Sequence, residues 1–200
     1  MFAKSFAPLL AATIMGCLCS ISAADAGVFT VNRTAGAGTV TGTITTDGLL
    51  GVLATSDVTD WNLLLTVGAS NFTLQGPLSG NNSALLVSGS SLSATATDLL
   101  FNFSALGFAL FQSPIIGSGQ NWWCVEGPSS GCTPYGQQGF NESIQIGSYP
   151  DGPHAAVARE GSQVIGTTTT TQVPEPLTLS LFSAGIVGVA TLRRRKAAKA

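Results

Sequence analysis

Two pairs of carboxylates, Asp57 with Asp60 and Glu126 with Glu142, are the residues of this 200-residue chain whose types could do chemistry. Glycoside hydrolysis needs two acids flanking the scissile bond, one to donate a proton and one to attack or activate water. Sequence spacing does not set the distance between side chains, so these acids are expected to be solvated loop residues. His154, the only histidine, lies three residues after Asp151 in a proline-flanked turn. No Gly-x-Ser-x-Gly elbow supplies a nucleophile for it, and a surface histidine is expected. One histidine and two body cysteines leave no three-ligand zinc set. Asp47, Asp57 and Asp60 could offer oxygens to calcium, but their spacing fits no EF-hand loop and turn or cap roles account for them. The expectation is a non-enzyme with no metal and no cofactor.

Trp122-Trp123-Cys124, followed by Cys132, is the most unusual stretch of the body. In an exported chain Cys124 and Cys132 are expected to form a disulfide closing a short loop, stabilising by roughly 2–3 kcal/mol in the chain-entropy model. Adjacent residues of a strand face opposite ways, so an extended segment would send one indole into the core. The other ring either packs over the disulfide or lies exposed, where it could stack on a sugar. Trp122 and Trp123 are therefore the candidate glycan contacts.

The elements that must position these residues are strands. Gly, Ser, Thr, Asn, Val and Leu dominate the 147 residues from Gly27 to Val173, and apolar residues recur with period two more often than 3.6. Val28 to Val31, Gly38 to Thr46 (ending at an Asp47-Gly48 turn), Trp61 to Val67, Asn71 to Gln75, Ala84 to Ser88, Leu92 to Ala96, Asp98 to Ser104 and Gly107 to Gln112 read as strands about ten residues apart,. Gly51 to Asp60 reads as a long connection, and the Gly- and Pro-rich chain from Ser113 as irregular. Phe140, Ile144, Ile146, Ala155, Val157, Val164 and Ile165 supply closing strands, with a turn at Tyr149 to Pro153. Leu99, Phe101 and Phe103 share the expected core face. This spacing predicts an all-β fold, a single antiparallel β-sandwich of jelly-roll or immunoglobulin-like type over residues 27–166.

Arg33 and Arg159 against Asp47, Asp57, Asp60, Asp98, Glu126, Glu142, Asp151 and Glu160 give this body a formal charge of −6, and it has no lysine. No phosphate-neutralising patch can form, which excludes nucleic acid as a partner.

Both ends read as targeting segments. Residues 1–26 carry Lys4, an apolar run from Phe6 to Leu18 and Ala24-Asp25-Ala26, the pattern of a signal peptide,. Ile14-Met15-Gly16-Cys17 is a loose lipoprotein box that would instead acylate Cys17; otherwise Cys17 and Cys19 leave with the signal. Residues 167–172 form a Thr-rich spacer. Asn-x-Ser/Thr triplets at Asn32, Asn71, Asn81, Asn102 and Asn141 are the chance product of this composition. Residues 173–200 comprise Pro174-Glu175-Pro176, an uncharged run from Leu177 to Leu192 and the basic end Arg193-Arg194-Arg195-Lys196. As a helix the 16-residue run would reach roughly 24 Å, slightly short of a ~30 Å hydrocarbon core. The basic end would stay cytoplasmic, leaving the body outside.

This tail resembles the PEP-CTERM sorting signal of Gram-negative bacteria, on Pro174-Glu175-Pro176, the short span and the basic end. The resemblance implies recognition by the membrane enzyme exosortase, processing near Pro-Glu-Pro and association with exopolysaccharide and biofilm. The protein would be anchored in the inner membrane before processing, then reach the cell surface or extracellular matrix. Residues 38–104, with Asp60-Trp61-Asn62-Leu63 and Gly76-Pro77-Leu78-Ser79-Gly80-Asn81-Asn82-Ser83, are also similar to a recurring PEP-CTERM ectodomain type, a resemblance that brings no activity with it.

Overall fold

The structure, a computed structural model, describes residues 26–128, 132 and 142–168. The expected signal peptide, the sorting motif and the span Leu177 to Leu192 lie outside the described residues. Among the described residues no helix is long and apolar enough to cross a membrane.

The strands are β1 Val28–Ala35, β2 Gly38–Thr46, β3 Gly51–Val52, β4 Val58–Val67, β5 Ser70–Gln75, β6 Ala84–Gly89 and β7 Leu92–Ala94. β8 Asp98–Asn102, β9 Gly107–Gln112, β10 Trp122–Glu126, β11 Glu142–Gln145, β12 His154–Val157 and β13 Ser162–Thr168 complete the set. They form two antiparallel sheets, in the orders β3-β7-β8-β13-β1-β2-β4-β5 and β12-β11-β10-β9-β6. The protein is all-β, with one short 3₁₀ turn at Thr55–Asp57.

Period-two alternation turns one face of each sheet inward. Phe29, Val31 and Ala35 of β1, Val40 and Ile44 of β2, and Leu63 and Leu65 of β4 meet Phe111, Trp123, Val125 and Ile144 from the smaller sheet in one core. Trp61 meets Phe111 edge-on at 5.5 Å and Phe111 stacks on Trp123 at 5.4 Å, so aromatic rings bridge the layers,. Leu99, Phe101 and Phe103 are buried as their alternation predicts. Gly42 takes the inward position between Val40 and Ile44 because a Cβ there would lie 1.9 Å from the Asn62 carbonyl oxygen.

Three differences from the sequence reading have physical causes. The supposedly irregular chain after Ser113 contains β10, which lies between β9 and β11. Every β10 residue is buried, so alternation leaves no exposed face to betray it. The Gly51 to Asp60 connection contains β3, paired with β7, and its last three residues already belong to β4, which pairs with β2. The last strand runs two residues into the Thr-rich spacer, with Thr167 opposite Thr30 and Thr168 opposite Phe29.

Open strand edges invite other strands, and side chains cap several here. Asn82 accepts from Gln75 N at 2.7 Å and donates to Thr73 O at 2.9 Å, imitating a neighbouring strand along β5. The Thr55 hydroxyl accepts from Val87 N at 2.8 Å on β6. The turn at Gly36 lies so close to Ala156 of β12 that a Cβ would approach its carbonyl oxygen to 2.6 Å.

Candidate functional site

The chemistry-bearing residues fall into three places. The first is the interior between the two sheets, where β11 presents Glu142 with 0% of its side chain exposed. Arg33 is on the inward face of β1 with Phe29 and Val31, and holds Glu142 in a fork: Nε donates to Oε1 at 3.1 Å and Nη2 to Oε2 at 2.6 Å. Arg159, in the connection from β12 to β13, donates Nε to Oε2 at 2.9 Å. Trp123 Nε1 donates to Oε1 at 3.3 Å. Arg33 Nη1 also donates to Val164 O at 3.0 Å, and Arg159 Nη2 to Thr34 O. Both cations of the body therefore converge on one carboxylate and tie the two sheets together.

A charge taken out of water is tolerated only when paired and hydrogen-bonded, and the fork geometry of arginine suits a carboxylate best. With both oxygens engaged by fixed donors and no exposed surface, Glu142 has no open position for a substrate. The expectation that it is a solvated loop acid is corrected: it is the electrostatic bolt of the interior.

The second place is the outer face of the smaller sheet, where Trp122, Cys124, Cys132 and Leu110 form a separate apolar cluster with Phe108, Ile116 and Tyr149 packed on it. Cys124 and Cys132 are joined by a disulfide, with Cα atoms 5.9 Å apart. Glu126 is buried and accepts from Cys132 N at 3.1 Å. It shares its side of β10 with Trp122 and Cys124, whereas Glu142 bonds inward to Trp123. The two glutamates thus lie on opposite faces of one sheet and cannot flank a common bond.

Trp122 is 3% and Trp123 0% exposed. Trp122 lies 5.9 Å from the Tyr149 ring, tilted against it, and its Nε1 donates to Ser143 Oγ at 3.4 Å. Neither indole offers a face to a sugar: of the two alternatives open to the second ring, packing over the disulfide is the one the structure shows, and the candidate glycan contact at Trp122 or Trp123 is not met. The strand alternation held, but the outer face is itself covered by the disulfide and by Tyr149.

His154 is half-buried on β12, opposite Gln145 and edge-on to Tyr149 at 6.3 Å. Desolvation lowers its pKa below the ordinary 6.5. Asp57 accepts from Ala54 N at 2.7 Å and caps the 3₁₀ turn. Asp60 accepts from Leu78 N at 3.0 Å and from Ser79 Oγ. Asp47 accepts from Leu49 N at 3.0 Å. Each is a turn or cap acid, and among the described residues no group of three or more His, Cys, Asp or Glu side chains is arranged to hold a metal.

The third place is the outer face of the larger sheet, which composition alone did not bring together. Register lines up Thr30, Thr43, Asn62 and Gln75 in one row across β1, β2, β4 and β5. Asn32, Thr41, Leu64 and Thr73 make the next row, and Thr34, Thr39, Thr66 and Asn71 the third. These twelve positions carry no charged side chain. The signal for this face was the Thr-x-Thr alternation of Gly38 to Thr46, visible in the sequence but read only as strand propensity.

No family model, no curated protein and no solved structure matches the chain.

Proposed function

We infer that the chain is an exported, non-catalytic surface or extracellular-matrix protein, sorted by an exosortase-like enzyme and associated with exopolysaccharide and biofilm. On this reading the signal peptide leads the body out, Leu177 to Leu192 hold it transiently in the inner membrane, and Pro174-Glu175-Pro176 present the recognition peptide. The ectodomain is then a jelly-roll or immunoglobulin-like sandwich lodged between the two targeting ends.

The observation that supports export most directly is the Cys124–Cys132 disulfide, a bond that persists in oxidising compartments and is rare in the cytosol. The non-catalytic reading is supported by the commitment of Glu142, Glu126, Asp57 and Asp60 to internal hydrogen bonds. Replacing Glu175 with Ala tests the sorting half in cells that carry the processing enzyme. The expected outcome is accumulation of a membrane-bound form that keeps its basic tail; processing at the native rate would contradict recognition through Pro-Glu-Pro.

A further inference from the structure

We propose that the outer face of β1, β2, β4 and β5 is a binding surface for an extended, uncharged polysaccharide, an inference that rests on the exported surface role. Antiparallel geometry sets neighbouring side chains of one row about 4.8 Å apart and successive rows about 6.8 Å apart, an array roughly 15 Å by 14 Å. Thr30, Asn32, Thr39, Thr41, Thr43 and Asn62 present hydroxyl and amide groups that both donate and accept. Apart from Gln75, whose amide bonds Ser79 O and Asn82, no side chain of the three rows makes a hydrogen bond among the described residues.

A partner covering this face must return those hydrogen bonds along its whole length, because a buried hydroxyl left unpaired costs on the order of 1–3 kcal/mol. An apolar protein surface cannot do so; a chain of sugar hydroxyls can. The charges nearest the rows lie at the margins and are engaged: Asp60, opposite Thr45, accepts from Leu78 N and Ser79 Oγ, and Arg159, whose Nη2 donates to Thr34 O, is paired with Glu142. With no cation among the rows, an anionic polymer gains no attraction, so the matching ligand is neutral. Leu64, the one apolar side chain in the rows, gives a sugar ring a small C–H contact.

Shape excludes a flat lattice. Strands rotate by about 20–25° from one to the next, so β1 to β5 turn through roughly 60–75°. A single flexible polymer can follow that twist, whereas a rigid planar crystal face meets only one row at a time.

The test uses full-length protein in mild detergent, run by native affinity electrophoresis in gels containing a linear neutral β-glucan or, separately, anionic alginate. The expected result is retardation by the neutral glucan that does not change with salt, and none by alginate. The Thr41→Val/Thr43→Val variant keeps the shape and strand propensity and removes two hydroxyls, so it should bind about tenfold more weakly, with an unchanged thermal midpoint showing that it folds. Absence of retardation for the native protein would overturn the proposal, as would equal retardation of the variant. Sedimentation showing a native dimer that the variant dissolves would assign the face to a second copy and overturn it too. The processing of the two chain ends is read separately by mass, so failure of the glycan surface and failure of the export reading are distinguishable.

Discussion

Glu142→Gln is the perturbation that probes the interior most sharply. The substitution keeps the side-chain volume and removes the charge that two guanidinium groups share at 2.6 and 2.9 Å. Arg33 is only 13% exposed and Arg159 23%, so neither can be fully rehydrated without opening the contact between β1 and β11. Removing one partner of a buried ion pair costs about 3–5 kcal/mol, mostly through the uncompensated charge left behind. At roughly 3 °C per kcal/mol for a domain of this size, the thermal midpoint should fall by about 10–15 °C. Differential scanning calorimetry at neutral pH reads this directly, with exposed Glu160→Gln as the control, expected within about 0.5 kcal/mol of native. Replacing the whole cluster, Arg33→Met with Glu142→Leu and Arg159→Met, should cost less than Glu142→Gln alone, because no orphaned charge remains. A Glu142→Gln midpoint within about 2 °C of native would refute the buried-bolt reading and mean that water reaches the carboxylate.

The Cys124→Ser/Cys132→Ser pair should lower unfolding free energy by about 2–3 kcal/mol in urea titration; no loss would mean the disulfide constrains nothing. Asn82→Ala uncaps Gln75 N and Thr73 O on the β5 edge, so a cost of about 1–3 kcal/mol with increased aggregation in light scattering is expected, and unchanged solubility and midpoint would argue against edge protection. His154 is held neutral by desolvation, so its folded pKa lies below the unfolded 6.5. The unfolded chain binds more protons in that interval, so His154 should make stability fall as pH drops from 6.5 toward the folded value and leave it flat above. His154→Gln should remove this acid-side slope; an unaltered slope would assign it to other groups.

The strands whose one face meets solvent were legible, because period-two alternation survives only where one face is polar. β2, β4, β5 and β8 were found this way, to within three residues at either end. β10 was hidden for the opposite reason: with Trp123 inward and Trp122 under Tyr149, both its faces are buried and its pattern carries no alternation. The disulfide was legible from two cysteines in an exported body. The ion cluster was not, since Arg33, Glu142 and Arg159 are 109 and 17 residues apart pairwise through the glutamate, and only the crossing of β1 against β11 joins them. A body with two cations and eight acids did hint that each arginine had a dedicated partner, but not which acid it would choose. The Thr and Asn rows were present as strand composition and became a surface only when register set three strands beside β2.

The most direct test of the exported, sorted-protein account is the intact mass of the protein recovered from outside a producing cell that carries the processing enzyme. The account predicts a chain that begins near Gly27, retains the Cys124–Cys132 bond and has lost the apolar run and basic end beyond Pro174-Glu175-Pro176. A recovered chain that starts at Met1, or that still ends at Ala200, would contradict it.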